Sequence, residues 1–254
     1  MRIIVSPTKK MKYDDSFITE LTMPVFLGKT EKLKAYLQSL SYEQLKDLFQ
    51  CNDKIAKENY DRFESMNLDN ASSIALLSYD GIAFQYMAPH IFTKQQLNYI
   101  RTHLRILSAF YGVVRPFDRI TPYRLEMQAK LNAPFAKTLY EFWKDLLYQE
   151  VMDDSGVILN LASNEYSKAI KPYMKENEVW IDVVFGEFKG NKVIEKGVYV
   201  KMARGEMVRY MAENNIEDVE QIKLFNHLGY QYNEELSSKT KYVFIRRDIN
   251  EKGN

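Results

Sequence analysis

Apolar positions along the chain change their period several times, and each change marks a new element. Residues 2–6 (RIIVS) form a short apolar run that stops at Pro7 and reads as a buried strand. Between residues 30 and 66 the spacing is helical: Leu33, Leu37 and Leu40, then Leu45, Leu48 and Phe49, then Ile55, Ala56, Tyr60 and Phe63. Ser41 followed by Gln44 has the form of a capping box, and Asn52 or Asp53 suits the N-cap of the next helix. Only Gln50-Cys51-Asn52 separates the two, so about 41–63 predicts a helix-hairpin-helix-like unit.

Farther on, residues 73–78 (SIALLS) read as a strand and about 93–107 as a helix with Leu97, Ile100, Leu104 and Leu107 on one face. Residues 136–152 read as another helix, around Leu139, Phe142, Trp143, Leu146 and Leu147. Residues 156–161 suit a central strand, with Ser163 placed to cap the helix that follows. Residues 179–188 and 193–201 flank Lys189-Gly190-Asn191 and predict a hairpin. Residues 202–214 and about 218–224 read as helices, and 227–233 with 241–247 as a terminal hairpin. Helices and strands are mixed without a regular βαβ repeat. The expected fold is therefore one compact α/β (α+β) domain around a mixed sheet, over residues 1–248, with a frayed polar tail at 249–254.

Composition narrows what such a domain can do. The 254 residues are 46% hydrophobic and 27% charged, with a formal net charge of +1. A near-neutral chain has no global pull on nucleic acid or membrane, so any anion binding has to come from a local cluster. One cysteine, Cys51, excludes an internal disulfide and any CxxC motif. His90, His103 and His227 are far apart and show no metal-ligand spacing; no metal and no cofactor are expected. GxGxxG, GxxxxGKS/T and GxSxG are all missing. The N-terminal residues lack the apolar core of a signal peptide, and no apolar run reaches the roughly 18 residues of a spanning helix. A cytoplasmic protein with no membrane association is expected.

The local cluster exists. Five of the 11 arginines (Arg101, Arg105, Arg115, Arg119 and Arg124) fall between residues 101 and 124, opposed there only by Asp118. Arg115-Pro116 and Thr121-Pro122 favour an extended or turned backbone, so the stretch reads as a rigid loop presenting guanidinium groups. Two readings stand: arginines aimed at an anion, or arginines in structural ion pairs. Four short segments add chemistry. Lys9 follows the first strand; Tyr123-Arg124-Leu125-Glu126 puts a cation and a carboxylate on one side of an extended segment. Asn160 to Lys168 (NLASNEYSK) runs from a strand end into a helix start, where free N–H groups favour an anion. Lys201 and Arg204, with Gly205 beside them, sit at an expected strand-to-helix junction about one helical turn apart.

In order and spacing these segments resemble the YaaA family, the bacterial peroxide-stress proteins, across nearly the whole chain. The carrying stretches are VSPTKKM (5–11), LRILSAFYGVVRPFDRITPYRLEM (104–127), LYEFW (139–143), NLASNEYSK (160–168) and KMARGEM (201–207). The family's first motif usually reads SPAKT; here it is Ser6-Pro7-Thr8-Lys9-Lys10, which keeps Lys9. The resemblance implies a compact α/β fold with a positively charged cleft and a helix-hairpin-helix element, although the link at 50–52 lacks the glycines usual in such DNA-binding hairpins. It also implies binding to double-stranded DNA, and a role in limiting damage from peroxide and unincorporated iron. On that reading Lys9, Arg105, Arg115, Arg124, Asn160, Ser163, Lys168, Lys201 and Arg204 form the DNA- or anion-binding set. The alternative is an enzyme acting on a small anionic substrate, a nucleotide or modified base, with Glu126, Glu165 or Tyr166 moving protons. Basic side chains strung along an open groove point to the first, and convergence of acids and bases in a closed pocket points to the second.

Overall fold

The apolar run at the start of the chain, β1 (Arg2–Val5), lies in the middle of the main sheet, with Ile3 and Ile4 fully buried. A strand buried on both faces has to be apolar without alternation, and this one is. In this computed structural model, residues 1–14 and 20–247 are described; the tail expected after Asp248 lies outside them. After β1 come α1 (Leu27–Gln38), α2 (Tyr42–Phe49) and α3 (Asp53–Glu64), then β2 (Ser73–Ile74), α4 (Ala75–Ser78), α5 (Ile82–Met87) and α6 (Lys94–His103). The chain continues through β3 (Leu104–Ser108), β4 (Gly112–Val114), β5 (Arg119–Ile120), α7 (Leu139–Trp143), α8 (Leu146–Val151), β6 (Val157–Asn160) and α9 (Asn164–Ser167). It ends with β7 (Val179–Lys189), β8 (Lys192–Ile194), α10 (Gly197–Glu213), β9 (Tyr230–Tyr232) and β10 (Lys241–Arg246).

The sheet runs β4-β3-β1-β6-β7-β10-β9, with β8 paired to β7. Its five inner strands are parallel and β4 and β9 are antiparallel edges, so the fold is the expected mixed α/β domain. The helical region is as the spacing predicts. Ser41 and Gln44 form a reciprocal capping box, Asn52 accepts the Ile55 N–H at 3.0 Å, and Gln50 turns the link in a left-handed conformation. Phe49 stacks on Phe63, and Phe63 meets Phe110 edge-on, which fastens the α2–α3 pair to the core.

Four expectations are corrected. Residues 73–78 are a two-residue strand followed by a helical turn, because Ala75 and Leu76 donate to Asp118 and Pro116 rather than to a strand partner. The helix at 93–107 stops at His103: Leu104–Ser108 is claimed by β1, with Ile106 beside Val5. Pairing in the middle of a sheet overrides a helical period. The helix at 136–152 is two helices broken at Lys144, whose φ is +50°. The strand expected at 193–201 is only Lys192–Ile194, and α10 starts at Gly197. Val198 and Val200 read locally as strand, but Val200, Ala203, Met207, Val208 and Met211 form a buried stripe at helical spacing. Lys201 and Arg204 therefore stand on a helix rather than at a junction.

Candidate functional site

From β1 the chain crosses to β3 on one side, while β6 pairs with β1 on the other, both parallel. The segments leaving the carboxyl ends of β1 and β6 therefore depart in different directions and open a crevice, the usual ligand position in open parallel sheets. Here the two loops are tied at its base. Ser6 Oγ accepts the Ser163 N–H at 2.8 Å and donates to Ser163 Oγ at 3.1 Å. Ser163 has the backbone of an N-cap, but its hydroxyl bonds Ser6 instead of the helix.

A cavity of about 490 Å³ occupies this crevice. The β1 loop forms one wall, Tyr123–Glu126 a second, and Ser163, Glu165 and Tyr166 a third. The last wall, α5 and α10, depends on two glycines. A Cβ at Gly205 would lie 1.9 Å from the Ala83 carbonyl oxygen, so only glycine lets the two helices touch backbone to backbone. A Cβ at Gly81 would lie 2.6 Å from the Thr8 methyl group. The contribution of Asp80 to Met87 was not read from the sequence; the Asp-Gly step before a short apolar stretch was its signal.

Charges of both signs meet inside. Lys9 Nζ lies 2.7 Å from one oxygen of Glu126, and Arg124 donates to the other at 3.1 Å. Glu165 receives the Gln128 N–H at 3.2 Å and makes no ion pair among the described residues. Burial, and then the neighbouring charge of Glu126, raise its pKa despite that N–H and Lys9. Burial also pushes the Tyr166 hydroxyl well up. Beneath, Tyr123 bonds Ser108 Oγ at 2.6 Å and Tyr79 at 3.2 Å, and burial pushes it up to about 12. Arg204 lacks the carboxylate partner that Lys9 and Arg124 have, although Arg124 shares its orphaned Nε. Its Nε is buried without a partner, no carboxylate is within ion-pair distance among the described residues, and burial pulls its pKa down with only distant Glu195 opposing.

Of the residues singled out from the sequence, the structure brings Lys9, Arg124, Glu126, Ser163, Glu165, Tyr166, Lys201 and Arg204 to this cavity. Arg105, Arg115, Asn160 and Lys168 do not line it. Arg105 is buried on β3 and donates to the Leu104 carbonyl at 2.8 Å and, at longer range, to those of Arg101 and Thr102. Arg115 is held by Asp118 at 3.1 Å and by the Met23 carbonyl at 2.6 Å. Asn160 bridges Asp182 and the Ala162 N–H, at 2.8 and 2.9 Å, and so shapes the turn beneath the site. Lys168 is exposed at the end of α9. Among the described residues no group of three or more His, Cys, Asp or Glu is placed to hold a metal ion, and no helix is long and apolar enough to cross a membrane.

Comparison with known proteins accounts for the ordered set of motifs. The sequence profile of the peroxide stress protein YaaA family matches residues 1–236. A UPF0246 protein of Desulfitobacterium hafniense is 52% identical over 246 residues, covering 97% of this chain and 98% of its own. One from Agathobacter rectalis is also 52% identical, over 247 residues (97% and 99%), and one from Lactiplantibacillus plantarum is 47% identical over 245 (96% and 99%). With identity and coverage of this order, the chain belongs to the YaaA peroxide stress protein family.

Proposed function

We propose that this protein serves the peroxide stress response in the cytoplasm through a pocket that takes a small anionic molecule, a nucleotide or modified base, and exchanges a proton with it. The supporting observation is the contrast between two carboxylates in one cavity. Glu126 is clamped by Lys9 and Arg124, while Glu165 faces the cavity with a raised pKa and no ion pair among the described residues. Surroundings that separate two carboxyl groups in this way separate their roles. Glu126 orients the two cations, and Glu165 carries the proton. Binding of phosphate alone needs neither carboxylate. The test is Glu165→Gln in a strain lacking the wild-type gene: loss of peroxide survival with the fold retained supports the reading, and full protection overturns it.

A second reading has its own support. Lys9, Lys10 and Lys201 are exposed at the cavity mouth, with side chains of Lys9 and Lys10 63% and 79% accessible. Double-stranded DNA bound there would be held through phosphates, with little sequence preference and a steep salt dependence. Fluorescence anisotropy of a labelled duplex across a salt series tests it. A negative log–log slope that shrinks in Lys9→Ala supports DNA on the rim, and no binding at low salt removes it. On either reading the cellular outcome is less damage from peroxide and unincorporated iron.

A further inference from the structure

Two cations in the pocket have no counter-charge. Lys201 and Arg204 are one turn apart on α10 and share a face, and neither makes an ion pair among the described residues. Arg204 is half-buried, and its Nε is shut off from solvent without a partner, which is costly unless a ligand answers the charge. The three pocket carboxylates do not answer it: the acidic side chain acting on Arg204 is Glu195, outside the cavity, and not Asp80, Glu126 or Glu165. The pocket thus carries an unpaired pair of cations on α10 and a carboxyl without an ion pair at Glu165, with Pro7, Ile82, Phe84, Met87, Leu125 and Leu161 among its lining.

We infer that the ligand is a phosphomonoester of a planar nitrogen heterocycle, a nucleoside monophosphate or close analogue, with its phosphate on Arg204 and Lys201 and its ring edge at Glu165. This rests on the small-anion reading above and specifies it. Two unpaired cations call for about two negative charges, which a terminal phosphate carries near neutral pH. A carboxylate or an internal phosphodiester carries one, and a phosphodiester has also to leave the cavity on both sides. The apolar lining suits a flat ring rather than a bare sugar phosphate. The carboxyl of Glu165, which lines the cavity without an ion pair among the described residues, suits a ring N–H; a lipid phosphate offers none. A cavity of about 490 Å³ is of the size that such a ligand needs.

Isothermal titration calorimetry on the whole protein tests this with the four common 5′-monophosphates, their nucleosides, inorganic phosphate and a single-stranded hexanucleotide without terminal phosphate. At least one monophosphate is expected to bind roughly 10- to 100-fold more tightly than its nucleoside. Arg204→Met is expected to erase that increment and leave nucleoside affinity unchanged. Exposed Lys201→Ala, a variant with little bearing on folding, should reduce the same increment. Glu165→Gln should weaken nucleoside and monophosphate by the same factor. Inorganic phosphate or the hexanucleotide binding as tightly as the best monophosphate overturns the inference. If phosphate is the tight binder, the small-anion reading survives. If none of the small molecules binds to folded protein, both fall.

Discussion

Arg105 is buried and Arg204 half-buried, and both have a buried Nε without a partner. Around Arg105, however, the fold supplies the rest. Its NH1 reaches three carbonyls at the carboxyl end of α6, where a positive charge also meets the helix dipole, although burial still lowers its pKa to about 10. Next to it, Arg115 is answered by Asp118, which is fully buried and also accepts the Thr22 hydroxyl at 2.6 Å. Around Arg204 the fold supplies no ion pair among the described residues, and the side chain lines the cavity. The arginine-dense stretch is thus mostly architecture, and Arg204 on α10 is the arginine that the proposed ligand would answer. Local abundance of a residue type says little about its use; whether its hydrogen-bonding groups are already satisfied says much more.

Breaking the first region should cost most. Asp118→Ala removes the acceptor of the Arg115 backbone and guanidinium and of Thr22, and is expected to lower unfolding free energy by roughly 3 kcal/mol. Urea unfolding measures it, and ligand affinity of the folded fraction should stay as in the wild type. Gly205→Ala comes next. The rigid Ala83 carbonyl cannot yield as a side chain would, so the cost should reach the upper end of the roughly 1–3 kcal/mol of overpacking. Because α5 and α10 must separate, ligand binding should fall with it, in contrast to Asp118→Ala. Arg204→Met reverses the sign. Removing an unanswered charge from a largely apolar setting should raise the stability of the unliganded protein by on the order of 1 kcal/mol, even as binding is lost. A lower melting temperature would mean that the fold does answer Arg204.

The smallest effect sharpens the comparison through pH. The folded-state pKa of Glu165 is raised by burial, so the native protein keeps a proton that the unfolded chain releases. Stability then falls as pH rises from the unfolded value through the folded one and stays lower above it. Glu165→Gln keeps the acceptor for the Gln128 N–H and loses this penalty. It should be slightly more stable than the wild type at neutral pH, with the difference vanishing below the ordinary carboxylate range. Denaturation midpoints at several pH values measure it, and a wild type that gains relative stability as pH rises would overturn it.

Periodicity located β1, the helices at 27–64, β6 and the closing hairpin, because those segments have one strong local preference that tertiary contacts reinforce. It misread residues 73–78, 104–107 and 193–201. There a short apolar run or β-branched residues suit either state, and the neighbour decides: β1 for Leu104–Ser108, and α5 for the start of α10. Half of the site was legible in the same way. Lys9, Arg124, Glu126, Glu165 and Arg204 belong to residue types and spacings that announce chemistry. The sequence by itself determined the fold class, the family and this shortlist, since pattern and motif are properties of short stretches. Only the tertiary structure separated Arg204 from Arg105 and Glu165 from Glu126, because burial and pairing belong to residues far apart in the chain. The fold brings Ser6 to Ser163, Lys9 to Glu126 and Gly205 to Ala83, and no local pattern encodes that proximity.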